Sequence, residues 1–302
     1  MKTILLTACA ILGLTACQGN TFTLDNIEPT INDAASAAPT PTPSPSPSPS
    51  PTVSPSPSPS PSPAVSWWKP TPGLTMHIQF AGTMDYSKNV DAYDVDVYDT
   101  PVDKITALKA RGVKVICYFS GGSYEDWRSD AKDFPATVLG KNMDGWPGEK
   151  WLDVRQVSLL MPIMKKRMEL AKTKGCDAVD PDNMDGYSND TGWKGIITYA
   201  HQLAYNKAIA EQAHALGLSV GLKNDLEQIK DLSDLYDFGI NESCMDYNEC
   251  DYLKGFTVDK NKAVFAIDYN GKSAATCTKA KSIKVDMVFK NQNLDAAAAY
   301  CD

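Results

Sequence analysis

Short apolar runs recur along residues 67–302 and read as buried strands. Between several of these runs, apolar residues return every three or four positions. That spacing predicts helices, for example over 102–112 and over about 162–174. Eight strands are predicted in this way, at 76–80, 93–98, 114–119, 177–182, 218–222, 238–241, 263–267 and 285–289.

This alternation of strands and helices predicts an α/β domain. Apolar strands separated by helices form parallel sheets, and eight such strands closing on themselves give a (β/α)8 barrel, the TIM barrel. A doubly wound open sheet is the main alternative. The segment "WLDVR" at 151–155 is predicted either as a ninth strand or as an ordered loop.

The first 17 residues have the pattern of an export signal. Lys2 precedes a short apolar stretch, and small residues lead up to Cys17. This resembles a bacterial lipoprotein signal peptide, which implies cleavage before Cys17 and a lipid on its thiol. An ordinary secretory signal or a membrane-spanning helix fits less well, because the apolar stretch is too short to cross a bilayer. The expected location is therefore the cell envelope or cell surface, with the membrane reached through the lipid anchor.

Residues 18–66 are predicted to be a disordered linker, since 38–63 are almost entirely Pro-Ser and Pro-Thr. Such a sequence favours an extended polyproline II conformation with a rise of about 3.1 Å per residue. It would hold the folded part on the order of 80 Å from its anchor. Residues 67–302 are long enough to form a single domain with its own core.

Composition narrows the set of partners. The net charge of -8 argues against nucleic acid as a ligand and would attract a cationic one. We expect a monomer.

Once Cys9 and Cys17 are set aside, six cysteines remain, an even number that permits disulfides in an exported protein. Proximity in sequence favours two pairs, Cys244 with Cys250 and Cys277 with Cys301, whereas Cys117 and Cys176 are left open as a third pair or as buried thiols.

The stretch "GCDAVDPDNMDGY" at 175–187 places four aspartates close together, Asp177, Asp180, Asp182 and Asp185. Their spacing does not match a calcium loop, because the fifth position is a methionine and the twelfth is a threonine. The three histidines of the chain are too far apart in sequence for a zinc signature. No phosphate-binding glycine fingerprint is present either, so neither a metal nor a cofactor is expected.

Polar side chains follow strand after strand of the predicted barrel. In parallel barrels the carboxyl ends of the strands share one face, and that face carries the active site. A site for a polyhydroxylated ligand explains this pattern better than a structural role does. The residues concerned include Asp99, Tyr118, Ser120, Asp180, Asp182, Lys223, Asn224, Asp225, Asn241, Glu242 and Tyr269.

Six segments together resemble glycoside hydrolase family 114, the endo-α-1,4-polygalactosaminidases. They are "DVDVYDT", "KVICYFSGGSYEDWR", "GWPGEKWLDVR", "GCDAVDPDNMDGY", "VGLKND" and "NESCMDYNEC". The resemblance implies a (β/α)8 barrel that cuts α-1,4-linked galactosamine polymers. It also implies one catalytic carboxylate from the "DPDN" strand and a second from the glutamate of "NESC". In this chain these are Asp182 or Asp180, with Asp182 favoured, and Glu242.

The chemistry of glycoside hydrolysis agrees with this pair, because it requires one carboxyl group as an acid and one in the ionised form. Trp127 and Tyr187 are predicted to stack on sugar rings. The alternative is a lipoprotein that binds a polysaccharide without cutting it. Substrate contacts are predicted for Asp99, Tyr118, Ser120, Asp153, Asp180, Asn183, Tyr187, Lys223, Asn224, Asp225, Asn241 and Tyr269.

Overall fold

The computed structural model describes residues 66–301, in which a curled sheet surrounded by helices carries the fold. In chain order the strands are β1 (Met76–Ile78), β2 (Ala92–Asp96), β3 (Lys114–Ser120), β4 (Ser123–Glu125), β5 (Leu139–Asn142), β6 (Glu149–Leu152), β7 (Ala178–Asp182), β8 (Ser219–Lys223), β9 (Phe238–Glu242), β10 (Val264–Asp268), β11 (Asp286–Phe289) and β12 (Ala299–Tyr300).

Nine strands form the main sheet, in the order β1-β2-β3-β7-β8-β9-β10-β11-β12. The first eight are parallel, and β12 runs antiparallel to β11. All eight predicted strands are confirmed, each within two residues at both ends. The strand order never reverses, as it would in a doubly wound sheet. The fold is therefore of the (β/α)8 barrel class.

Six helices connect the strands from β2 to β11. They are α1 (Val102–Ala110), α2 (Val157–Lys174), α3 (Tyr199–Ala215), α4 (Ile229–Leu232), α5 (Lys254–Thr257) and α6 (Ala274–Ser282). Two helices of an ideal barrel are missing from the described residues, one between β1 and β2 and one after β11, where β12 takes its place. No helix within residues 66–301 is both long and apolar enough to cross a bilayer.

Helix α2 begins five residues before the predicted start, because the helix contains Pro162 rather than starting there. A proline in the second turn removes one backbone hydrogen bond, a cost that the buried face of the helix offsets. Leu160, Met164 and Met168 lie on that face and are fully buried. The helix ends at Gly175, whose φ of 94° suits the left-handed terminus of a helix.

The core has two layers because side chains of a strand alternate between the two faces of the sheet. Ile116, Phe238 and Phe265 belong to the cluster inside the barrel. Val115 and Ile209 belong to the larger cluster between the sheet and the helices. The barrel interior is thus packed with side chains, and the carboxyl ends of the strands are free to carry a site.

The seam between β1 and β11 is closed by side chains and loops. The Met76 backbone N–H donates to Asp286 Oδ2 at 3.2 Å, and the Phe80 N–H donates to the Leu294 carbonyl at 3.0 Å. Burial raises the pKa of Asp286 to about 7, partly opposed by that hydrogen bond. The loop after β11 is thereby tied to the carboxyl end of β1, beside the barrel mouth.

An insertion between β3 and α2 forms a second sheet. Strands β4, β5 and β6 are antiparallel, in the order β4-β6-β5. The segment 151–155 was predicted as a strand or a loop, and the structure contains some of both. Trp151 and Leu152 are the last residues of β6, and residues 153–155 lie outside any strand. This insertion follows the carboxyl end of β3 and so forms one wall of the barrel mouth.

The domain contains three disulfides within residues 66–301. The structure contains both favoured pairs, Cys244–Cys250 and Cys277–Cys301. Cys117–Cys176, which the sequence left open, is the third. Cys117 lies on β3 and Cys176 directly precedes β7, so this bond links neighbouring strands. A disulfide of this kind typically stabilises a domain by about 2–4 kcal/mol.

Candidate active site

The neighbouring strands β7, β8 and β9 end with Asp182, Lys223 and Glu242. Lys223 Nζ lies 3.4 Å from Asp182 Oδ1 and 3.3 Å from Glu242 Oε2. The lysine side chain is 2% exposed, whereas the two carboxylate side chains are 20% and 25% exposed. One buried ammonium group therefore holds two carboxylates that face the solvent at the barrel mouth.

Lys223 stays charged in this position. Burial opposes its charge, but Asp182, Glu242 and Asp180 together raise its pKa well above the usual range. The Tyr118 ring centroid lies 5.8 Å from Nζ and adds a cation–π contact. The ammonium charge reduces the repulsion between the carboxylates around it, which would otherwise oppose their close approach.

Several groups hold Glu242 in place. The Tyr269 hydroxyl donates to Oε1, and the Glu242 backbone N–H donates to Asn224 Oδ1 at 2.9 Å. Burial raises the pKa of Glu242, but Lys223 and the hydrogen bonds from Tyr269 and Asn224 outweigh it, so the net shift is downward. Glu242 is therefore ionised in the free protein near neutral pH.

Asp180 and Asp94 lie one layer beneath the mouth and are fully buried. Asp180 Oδ2 is 3.8 Å from Lys223 Nζ. Burial raises the pKa of Asp180 to about 7, against the pull of Lys223, and it raises the pKa of Asp94 well above its usual range. One ammonium cannot balance four carboxylates, so burial and the neighbouring negative charges favour the protonated form of a carboxyl group in this buried layer.

The loop after β7 packs against the glycines that follow β3. Asn183 has a φ of 62°, and its Nδ2 donates to Ser120 Oγ at 3.0 Å. A Cβ atom on Gly122 would lie 1.7 Å from the Asn183 carbonyl oxygen, so no larger residue fits there. The "SGGS" segment thus allows the backbone beside Asp182 to approach β3.

A cavity of about 800 Å³ opens above these residues. Its lining contains both predicted catalytic residues and five of the predicted substrate contacts. The five are Asp99, Tyr118, Asn183, Lys223 and Asn224. Trp127, predicted as a stacking residue, lines it as well.

The structure does not bring the other predicted contacts to this cavity. Asp180 and Ser120 lie beneath it and are fully buried. Asn241 is buried beside Asn224, to which its Nδ2 donates at 3.3 Å. Tyr269 is outside the lining but reaches the site through its hydrogen bond to Glu242.

Three further residues predicted to touch substrate have partners elsewhere in the fold. Asp153 is buried and accepts hydrogen bonds from Arg155, with Nε 2.7 Å from Oδ1. Asp225 accepts from Asn206 Nδ2 at 2.8 Å, and burial raises its pKa to about 9. The Tyr187 hydroxyl donates to Glu227 at 3.2 Å. These three side chains lie outside the cavity lining, and partners within the fold hold them.

The sequence prediction missed a group of lining residues on the insertion side. Arg128 donates to Asp96 at 2.6 Å and to Glu125 at 2.9 Å, and Trp146 lines the same wall. Glu149 accepts from the Ser123 hydroxyl, and burial raises its pKa to about 7. The available signal was the "GWPGEKW" segment, in which a carboxylate and two tryptophans lie within seven residues.

A metal ion has no ready site in this part of the chain. Across residues 66–301, no three His, Cys, Asp or Glu side chains are grouped as metal ligands.

Comparison with known proteins assigns the family. The sequence model of glycoside-hydrolase family GH114 matches residues 57–302. The chain belongs to this family. A comparison with curated protein sequences returned no match. As a GH114 member the protein is a glycoside hydrolase, and the resemblance noted in its sequence is confirmed.

Two solved structures place the GH114 chain among its relatives. Ega3 of Aspergillus fumigatus, crystallised in complex with galactosamine, is 37% identical, with a TM-score of 0.73 over 78% of this chain and 98% of that one. The glycoside hydrolase domain of PelA from Pseudomonas aeruginosa is 15% identical, with a TM-score of 0.58 over 76% of this chain and 98% of that domain. The second match supports the fold alone.

Proposed function

We propose that this GH114 hydrolase cleaves α-1,4-linked galactosamine-containing polysaccharide by a two-carboxylate mechanism with Asp182 and Glu242. The observation that carries the proposal is the contact of both carboxylates with Lys223, at 3.4 and 3.3 Å, in the cavity at the barrel mouth. In barrels of this class, residues at the carboxyl ends of different strands perform the chemistry.

In this mechanism one carboxyl group protonates the glycosidic oxygen while the other, ionised, attacks the anomeric carbon or activates a water. Tyr269 orients Glu242 through its hydroxyl, and Asn183 donates its backbone N–H to Asp182 Oδ1 at 2.8 Å. Against the effect of burial, Lys223 holds the pKa of Glu242 below its usual range, so Glu242 is anionic before a substrate enters. Burial by a bound sugar then favours uptake of the proton that the acid must deliver.

The charge of the cavity supports an amino sugar as the substrate. Acidic side chains line it on several sides, including Asp96, Asp99, Glu149 and Asp295 besides the catalytic pair, against two cations, Arg128 and Lys223. Galactosamine carries an ammonium group near neutral pH, which such a cavity attracts. The relative Ega3 was solved with galactosamine bound.

The direct test is to incubate the purified protein with partly deacetylated galactosaminogalactan and to measure new reducing ends. The proposal predicts their steady release. The alternative, a surface protein that binds the polysaccharide without cutting it, predicts retention of the polymer with no new reducing ends.

We expect deacetylated polymer to be preferred, and its apparent affinity to fall with salt. Charge attraction is screened over about 10 Å at 0.1 M salt, so a rise from low to high ionic strength should raise KM for this polymer by about tenfold. Fully N-acetylated polymer lacks the ammonium groups and serves as the control. A preference for acetylated polymer, with neither KM changed by salt, would contradict the charge argument.

We propose further that the enzyme is an exported lipoprotein. The support is the sequence around Cys17, which lies outside the described residues. Cys17→Ser should move the protein from the membrane fraction to the soluble fraction, because the lipid would be lost. Fractionation followed by immunoblotting measures the distribution of the variant between the two fractions. An unchanged amount in the membrane fraction would show that another part of the protein binds the envelope.

A further inference from the structure

Two tryptophans on the insertion side of the cavity are unusually exposed. Trp127 and Trp146 are 52% and 60% exposed, and both line the cavity that contains the catalytic pair. Large aromatic rings are costly to leave in water, and they bind flat apolar faces such as those of sugar rings. Tyr247 and Tyr252 are also exposed but lie outside the cavity lining.

The backbone around both tryptophans is held in place before any ligand binds. The Asp126 N–H donates to the Gly148 carbonyl at 3.1 Å, which joins the segment before Trp127 to the turn that carries Trp146. Gly148 has a φ of 90°, and a Cβ atom there would lie 2.6 Å from Asp126 Oδ1. The turn is closed by the Trp146 N–H, which donates to the Met143 carbonyl at 3.2 Å. A platform built in this way loses little conformational entropy on binding.

The charge around the platform is negative. Arg128 lies beside Trp127, with its guanidinium 6.0 Å from the ring centroid. Its charge is balanced by Asp96 and Glu125, at 2.6 and 2.9 Å. Asp99 is 3.6 Å from Arg128 and its side chain is 83% exposed, so its carboxylate remains open to an incoming cation.

We propose that Trp127, Trp146 and Asp99 form a second sugar subsite, which takes a hexosamine unit of the polymer with a free amino group. The tryptophan rings contact the apolar face of the sugar, and Asp99 pairs with its ammonium group. The subsite lies in the same cavity as Asp182 and Glu242 but on the wall formed by the insertion. It therefore binds a sugar unit of the polymer other than the one held by Asp182 and Glu242. This inference rests on the proposed function.

The test compares Trp127→Ala and Trp146→Ala with Tyr252→Ala, an aromatic of similar exposure outside the cavity. Each tryptophan variant should raise KM for deacetylated polymer about tenfold, the scale of one ring contact, with kcat within about twofold. Phenylalanine at either position should restore most of the affinity. Tyr252→Ala should leave both parameters unchanged.

Binding is measured separately in the Glu242→Gln background, using galactosamine oligomers of increasing length and isothermal titration calorimetry. The gain in affinity with added units should shrink in the tryptophan variants. Asp99→Asn should weaken binding of free-amine oligomers several-fold and leave N-acetylated oligomers unaffected.

The outcomes separate the two proposals. Cleavage by the wild-type enzyme with unchanged KM in both tryptophan variants would overturn the subsite and leave the function standing. A fall in kcat at unchanged KM would overturn it too, since that indicates a role in the chemical step. If no polymer is cleaved, the proposed function fails, and the oligomer affinities of the tryptophan variants still decide whether the subsite exists.

Discussion

Asp182→Asn and Glu242→Gln are each expected to lower kcat on deacetylated polymer by about two to four orders of magnitude, the usual effect of removing a catalytic acid or base. The amides keep the shape of the carboxyl groups but can neither transfer a proton nor attack the anomeric carbon. The fold should be retained, because each change removes a negative charge from a site with more carboxylates than cations.

Steady-state kinetics measures the fall in kcat, and circular dichroism tests whether the fold is retained. Asp180→Asn is the matched control, since Asp180 lies two residues from Asp182 on the same strand but is fully buried. It should lose far less activity than Asp182→Asn. The opposite ranking would place the reacting carboxylate at Asp180 and would contradict the geometry of the cavity.

Lys223→Met should lower the free energy of unfolding by about 3–5 kcal/mol at pH 7, because removing one partner of a buried ion pair leaves the others uncompensated. The lysine side chain is 2% exposed and contacts three carboxylates. Lys141→Met is the surface control, since Lys141 pairs with Asp190 and both are more than half exposed. Lys141→Met should lower the free energy of unfolding by less than about 1 kcal/mol.

The stability difference between Lys223→Met and wild type should depend on pH. The folded pKa of Glu242 lies below its usual value, so the stability that Glu242 gains from Lys223 is present above that usual value and is lost as the pH falls through the folded pKa. The difference should therefore be largest near neutral pH and shrink below about pH 4. Urea unfolding at pH 7 and at about pH 3 tests this, and an equal difference at both would count against the ion cluster.

The strands were predictable from sequence because a buried parallel strand is an uninterrupted apolar run, and the eight runs matched β1–β3 and β7–β11. The start of α2 was not predictable, because a proline is typical of the first turn of a helix and Pro162 therefore indicated a start there. The helix in fact begins at Val157 and contains Pro162. The absence of a helix between β1 and β2 was not predictable from the local sequence either. Its place is taken by a loop whose contacts to the segment after β11 come from distant sequence.

The proximity of Asp182, Lys223 and Glu242 was predictable because side chains at the ends of neighbouring parallel strands must meet. The insertion-side residues Glu149, Arg128 and Trp146 were not, because they approach the site only through the folding of β4–β6 against β3. Asp153 and Asp225 show the converse case, because the structure places them outside the cavity lining. Each is a polar residue near a strand end, but a partner from the fold itself, Arg155 or Asn206, satisfies it.

The measurement that tests the central claim most directly is mass spectrometry of the products from a defined α-1,4-linked galactosamine oligomer. Wild type, Asp182→Asn and Glu242→Gln are compared under the same conditions. The account predicts shorter oligomers from internal cleavage by wild type and intact oligomer with both variants. Intact oligomer with wild type, or the same products from either variant, would contradict it.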